Sequence, residues 1–192
     1  MSNNSLRNLV ASMQEQNLMK ILAISGSLRA ASNNTMLLRA IARLAPNNMS
    51  VELFRDLGNL PLFNPDIENT DPPVVARFRE QLIAADVVII ASPEYAHGVT
   101  GAMKNALDWM VGCEAFVNKS VVLLNASPRA VHAQAALKEI VTMMSASIVE
   151  DASITVPILG SKLDEEGIIS HPEISRLLRE SLLALQRCLP GT

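Results

Sequence analysis

The chain has 192 residues, 49% of them hydrophobic and 18% charged, with a formal net charge of −3, which suits one domain with a sizeable core. The missing basic excess and the 3% aromatic content argue against nucleic acid or an anionic membrane as the main partner. No apolar run approaches the roughly 20 residues that span a bilayer, Cys113 and Cys188 form no Cys-x-x-Cys pair, and the three histidines stand at no metal-ligand spacing, so reduced thiols in a cytoplasmic protein without a metal site are expected.

Residues 1–18 are rich in Ser, Asn and Gln, with apolar Leu6, Leu9, Val10 and Met13 between them. The apolar stretch is too short and polar for a signal peptide. An arm is expected there, disordered or loosely helical and without chemistry, with Met19 a candidate start. Residues 19–192 are expected to form the domain. Lys20–Ile24 reads as a buried strand and Asn33–Leu44 as a helix with Leu37, Leu38, Ile41 and Leu44 on one face. Met49–Phe54 alternates as a second strand. Asp56–Glu68 reads as a long loop holding Pro61 and Pro65. Asp71-Pro72-Pro73 then opens a helix, with Asp71 as N-cap and Pro72 at the first helical position; its apolar face is Val74, Val75, Phe78 and Leu82.

Val87–Ile90 is apolar without alternation, the pattern of a parallel strand buried on both faces. The loop Ser92–Thr100 follows, then a helix over Gly101–Met110. Val121–Leu124 is a fourth strand, Ala130–Met144 a helix, Ser153–Ile158 the fifth strand, and Pro172–Cys188 the last helix. Five βα units with short connections predict an α/β doubly wound parallel sheet. Ligands of such sheets bind at the carboxyl ends of the strands, near the switch point. The loops Ser25–Asn33, Ser92–Thr100 and Ala126–Ala130 are therefore the ones to read for chemistry.

The first of these loops runs Ser25-Gly26-Ser27-Leu28-Arg29-Ala30-Ala31-Ser32-Asn33 into a helix start. Backbone N–H groups, hydroxyls and one guanidinium in that layout make an anion site, and a phosphate ester is its natural ligand. A Walker loop needs a lysine and the dinucleotide fingerprint needs three spaced glycines. Neither is present, and hydroxyls with Arg29 suit a terminal monophosphate better than a pyrophosphate. A Ser-capped helix start with a solvated arginine is the plain alternative.

Gly-Ser-Leu-Arg-x-x-Ser-x-Asn (26–34), followed by Pro93-Glu94-Tyr95 and then Lys104-Asn105-Ala106-Leu107-Asp108-Trp109, resembles the NADPH-dependent FMN reductase family of quinone, azo and chromate reductases. The resemblance extends from about Met19 to the C-terminus. It implies a flavodoxin-like, doubly wound five-stranded parallel sheet of order 2-1-3-4-5 with helices on both faces. It implies FMN as cofactor, with Ser27, Arg29, Ser32 and Asn34 on the phosphate, backbone help from Asn33, Pro93, Glu94, Tyr95 and Ala96 along the isoalloxazine, and Ser127 on its other side. It also implies NADPH or NADH as donor, ping-pong hydride transfer through flavin N5, a small-molecule electron acceptor (quinone, azo compound, metal ion or flavin), and a homodimer or homotetramer. No protein acid or base is implied as catalytic. Glu94 also reads as a solvated loop carboxylate or a subunit contact. Lys104, Asp108 and Trp109 read as helix packing or dimer interface.

The chain departs from the family pattern at Ala96, where Asn is usual, and at Thr100, where Pro is usual. The loop after the fourth strand, usually glycine-rich, is Asn125-Ala126-Ser127-Pro128-Arg129-Ala130. These changes bear on acceptor specificity more than on FMN binding. Arg129 is a candidate for the extra phosphate of NADPH or a surface arginine tying its own loop. His97 reads as a rim residue or a substrate contact. No Ser-His-Asp set falls on these loops, which disfavours a hydrolase. The alternative of another class is a flavodoxin-type electron carrier or FMN-binding sensor, usually acidic and aromatic-rich where this chain is neither.

Overall fold

The structure, a computed structural model, describes residues 18–189. The expected N-terminal arm lies, Leu18 apart, outside the described residues. Parallel strands β1 (Met19–Ser25), β2 (Met49–Phe54), β3 (Val87–Ala91), β4 (Ser120–Leu124) and β5 (Ser147–Ile148) form one sheet in the order β2-β1-β3-β4-β5. This is the expected doubly wound order, with its switch point between β1 and β3. The helices of more than one turn are α1 (Asn33–Leu44), α2 (Pro73–Ala84), α3 (Gly101–Val111), α4 (Val131–Met143), α5 (Glu165–Ser170) and α6 (Pro172–Cys188).

Two apolar layers sandwich the sheet. Ile21 and Ala23 of β1 join Leu37, Leu38 and Ile41 of α1 and Leu178, Leu182 and Leu185 of α6 on one face. Leu22 and Ile24 point the other way, into Phe78 and Leu82 of α2, Leu107 and Met110 of α3, and Leu137 and Val141 of α4. Every residue of β3 is buried, as its unbroken apolar run requires.

Three expectations are corrected. Helix α2 starts one residue late. Pro73 forces the residue before it into extended backbone, so Pro72 sits at the N-cap with ψ 134 and Pro73 opens the helix. Asp71 does not cap it; it lies outside at φ 46 and pairs with Arg79 instead. The loop Asp56–Glu68 is partly ordered, with a 3₁₀ turn at Leu57–Asn59 and one helical turn at Pro65–Glu68.

The third correction concerns the fifth strand. Ser153–Ile158 is not a continuous strand: β5 is the earlier pair Ser147–Ile148, a 3₁₀ turn occupies Glu150–Ala152, and the chain regains the sheet at the Asn125–Thr155 bridge. Across the gap Ser153 Oγ accepts from the Leu123 N–H (3.0 Å) and donates to the Val149 carbonyl (2.9 Å). An edge strand needs hydrogen bonds on one side only, so one hydroxyl can stand in for the missing backbone group.

Candidate functional site

The loops after β1, β3 and β4 meet around a cavity of about 320 Å³ at the carboxyl end of the sheet. Their approach begins at Gly26. Its N–H donates to the Ala91 carbonyl (2.8 Å), and a Cβ on it would stand 2.1 Å from Ser92 Oγ and 3.1 Å from Ser92 Cα. Only glycine lets the ends of β1 and β3 come this close. Thr100 completes the join: its hydroxyl donates to the Gly26 carbonyl (2.7 Å) and accepts from the Met103 N–H (3.3 Å), capping α3. A proline at position 100 would supply neither bond.

The first loop is a chain of hydroxyl turns. Ser25 and Thr35 share a hydroxyl hydrogen bond (2.7 Å). The Ser27 N–H donates to Ser25 Oγ (3.3 Å) and the Arg29 N–H to Ser27 Oγ (3.3 Å). Ser32 is the N-cap of α1, accepting from the Thr35 N–H (3.4 Å), and the first turn of α1 holds no acidic residue. The helix start is thus open to an anion. Asn34 is buried to 6% exposure on the cavity wall, and its amide oxygen has no hydrogen-bond partner among the described residues. A buried polar atom left so is expensive. A ligand bearing phosphate oxygens and hydroxyls would satisfy this amide in either of its orientations. The residues present therefore fit a phosphate monoester on a polyol chain.

The second loop forms a two-residue hairpin, Glu94–Tyr95 against Gly98–Val99. Its turn residues Ala96 and His97 both lie in the left-handed region, at φ 50 and φ 58, as a type I′ turn requires. The hairpin leans on α4. Glu94 Oε2 accepts from the Ala133 N–H (2.9 Å) in the first turn of α4, whose own N-cap, Ala130, has no side-chain cap. The rings of His97 and His132 stack with centroids 4.2 Å apart. Glu94 is thus a helix cap as well as part of the wall, and is not a freely solvated carboxylate.

Ser27, Arg29, Ser32, Asn33, Asn34, Pro93, Glu94, Tyr95 and Ser127 all line the cavity; Ala96, in the hairpin turn, does not. His97 is likewise absent from the wall. Ala31, Ser92, Asn125, Ala126, Arg129, Ala130 and Leu159 complete it. Asn125 carried a readable signal, an Asx residue two before Ser127; its Oδ1 accepts from the Ser127 N–H (3.0 Å) and its Nδ2 donates to the Ala130 carbonyl (3.4 Å). Leu159 carried none, since it arrives from the far side of the broken edge strand, where its N–H donates to the Ala126 carbonyl (3.2 Å). Charged groups on the wall are the guanidiniums of Arg29 and Arg129 and the carboxylate of Glu94.

Of the segment Lys104–Trp109, expected to serve helix packing or a dimer interface, Asn105 and Trp109 serve packing. Trp109 Nε1 donates to the Pro61 carbonyl (2.7 Å), Asn105 Oδ1 accepts from the Phe63 N–H (2.7 Å), and Asn105 Nδ2 donates to the Pro61 carbonyl (2.9 Å). Phe63 meets the Trp109 ring edge-on at 5.2 Å. Together they pin the proline loop to α3. Lys104 and Asp108 pair with each other at the surface (2.5 Å).

Comparison with known proteins agrees with this geometry. Residues 19–158 match the family model described as NADPH-dependent FMN reductase. An NAD(P)H-dependent FMN reductase of Pseudomonas aeruginosa is 34% identical over 173 residues, covering 87% of this chain and 93% of that protein. A Solanum tuberosum protein named NAD(P)H:quinone oxidoreductase is 31% identical over 184 residues, covering 91% and 94%. Among solved structures, FerB, a flavoenzyme NAD(P)H:(acceptor) oxidoreductase of Paracoccus denitrificans, superposes with a TM-score of 0.74 at 25% identity, covering 87% of this chain and 94% of its own.

Proposed function

The chain belongs to the NADPH-dependent FMN reductase family, and from that premise we propose that it is an FMN-dependent NAD(P)H oxidoreductase that passes electrons from a reduced nicotinamide to a small-molecule acceptor. One observation carries this reading. Residues from three loops far apart in the chain line one cavity at the switch point, with an anion-ready helix start at its edge.

When bound, FMN would supply the redox chemistry of the site, hydride acceptance from a reduced nicotinamide and electron donation to a quinone, azo compound, metal ion or second flavin. The chain's residues hold and orient. The Ser27 and Ser32 hydroxyls, the N–H groups opening α1 at Asn33 and Asn34, and the Arg29 fork would hold the phosphate. Pro93, Glu94 and Tyr95 would bound the ring on one side and Ser127 on the other, and Ala96 would act only through the turn. Catalysis then rests on positioning, with no side chain required to move a proton.

The family's quinone reductases support a quinone-type acceptor. The wall contains one aromatic residue, Tyr95, itself 61% exposed, which disfavours a carrier that seals its flavin between rings. The test is to load the purified chain with FMN, remove oxygen and add NADPH. Rapid bleaching of the bound flavin supports the enzyme. Bound flavin that stays oxidised supports the carrier, and failure to take up FMN overturns both.

Two further expectations belong to this reading. A homodimer or homotetramer is supported by Leu62 (83% exposed) and Val111 (65% exposed), apolar residues on the two elements that Asn105 and Trp109 join; light scattering of the FMN-loaded protein tests it. Cytoplasmic residence is supported by free Cys113 and Cys188, and cell fractionation tests it. Among the described residues, no helix is long and apolar enough to cross a membrane.

A further inference from the structure

Two loops of the cavity are built on one plan. After β1, Ser25 Oγ accepts from the Ser27 N–H and Ser27 Oγ from the Arg29 N–H, each at 3.3 Å. After β4, Asn125 Oδ1 accepts from the Ser127 N–H (3.0 Å) and Ser127 Oγ from the Arg129 N–H (3.2 Å). In each, two successive side-chain turns end on an arginine, and both arginines line the same cavity. Neither guanidinium has an ion-pair partner among the described residues.

The first plan reads as a monophosphate site. FMN carries one phosphate, and the Ser27–Asn34 segment already provides its hydroxyls, helix N–H groups and fork. With that place filled, the cavity still holds one guanidinium without an anion. No ion pair joins it to Glu94, whose carboxylate instead accepts from the Ala133 N–H in the first turn of α4. We propose that Arg129 is a second phosphate site, for the 2′-phosphate that distinguishes NADPH from NADH, and that it makes this chain select the phosphorylated nicotinamide. The proposal rests on the reading of the cavity as an FMN and nicotinamide site.

The local structure suits the role. Pro128 fixes one backbone angle next to Arg129, and the Ser127 turn fixes the Arg129 N–H. Little backbone freedom is left to lose when an anion binds. The planar fork matches a phosphate in a way a lysine cannot. Leu159, 59% exposed and bonded through its N–H to Ala126 in the same loop, adds apolar surface to that wall, suited to the adenine that carries the 2′-phosphate ribose.

The experiment titrates FMN-loaded wild-type, Arg129→Ala and Arg129→Lys proteins with NADP⁺ and NAD⁺, neither of which reacts, by calorimetry and flavin difference absorbance. The wild type should bind NADP⁺ the more tightly. Arg129→Ala should weaken NADP⁺ by about ten- to a hundredfold, with NAD⁺ and FMN affinities little changed. Arg129→Lys should keep part of the preference. High potassium chloride should shrink it, because an exposed ion contact is screened over about 10 Å at 0.1 M salt. The proposal is overturned by a wild type without preference, or by equal losses for both nucleotides. It is overturned equally if Arg129→Ala loses FMN or its flavin spectrum shifts, since the guanidinium would then serve the flavin. Circular dichroism melts confirm that each variant is folded. If the wild type takes up no FMN, the functional reading fails, and calorimetry with the two nucleotides on the flavin-free chain still decides the role of Arg129.

Discussion

The loop after β1 and the hairpin after β3 reach the same cavity by different means. The loop holds itself: its turns close over two residues, and its helix cap over three. The hairpin is held by something else, the Glu94 bond to Ala133 across 39 residues and the ring of His132 against His97. A self-closed loop keeps its shape when its ligand-facing side chain changes, so such a change acts on the ligand. A loop braced from outside transmits its changes to the fold.

The two regions are joined where the Thr100 hydroxyl donates to the Gly26 carbonyl, and breaking that bond should have the largest effect. Thr100→Val keeps the shape and removes the hydroxyl. It uncaps α3, which costs about 1 kcal/mol, and leaves a buried carbonyl without its donor, about 1–3 kcal/mol more. Urea unfolding should show a loss of roughly 2–4 kcal/mol. A loss well under 1 kcal/mol would mean that Gly26 finds another donor and the two loops are independent.

The contrast sharpens in a pair of variants. Arg29→Ala removes a charge-assisted contact of about 1.5–3 kcal/mol. FMN should bind about ten- to a hundredfold more weakly, and the flavin-free protein should melt as the wild type does. Riboflavin, lacking the phosphate, should not distinguish the two. Glu94→Ala should do the reverse. It removes the cap of α4 and should lower the stability of the flavin-free protein by about 1 kcal/mol. Glu94→Gln keeps an acceptor, loses the charge, and should fall between. If Glu94→Ala left melting unchanged and weakened only FMN, Glu94 would be a ligand contact first and a brace second.

The same contrast explains what could be read from the chain. α1 and β2 run over the residues expected because their signals are local: the Ser32 cap, and the alternation of Val51 and Leu53 with Glu52. The loop after β1 was legible as a wall of the cavity for that reason, since its turns and its helix cap close over two or three residues. The bond of Glu94 was not, because no pattern in Pro93–Ala96 reveals the first turn of a helix at Ala133. Thr100 stood out only as a departure, and its partner lies 74 residues away. Leu159 and the interrupted edge strand depend on how Ser153 meets β4, a pairing that alternation alone does not contain.

Ala96 gives the smallest test of the comparison. Both central residues of its turn sit at positive φ, where a residue with a Cβ is disfavoured by roughly 1–2 kcal/mol while asparagine is tolerated. The asparagine usual in the family at this position therefore has a backbone reason, independent of any contact with a flavin. Ala96→Asn should relieve part of that strain and raise the melting temperature by about 2–4 °C, the shift that 1 kcal/mol produces in a domain of this size. Because Ala96 does not line the cavity, FMN affinity should stay as it is. Stabilisation without tighter binding would show that position 96 acts on the hairpin. Tighter FMN binding at an unchanged melting temperature would place the amide on the ligand, and the hairpin would then resemble the β1 loop more than this structure indicates.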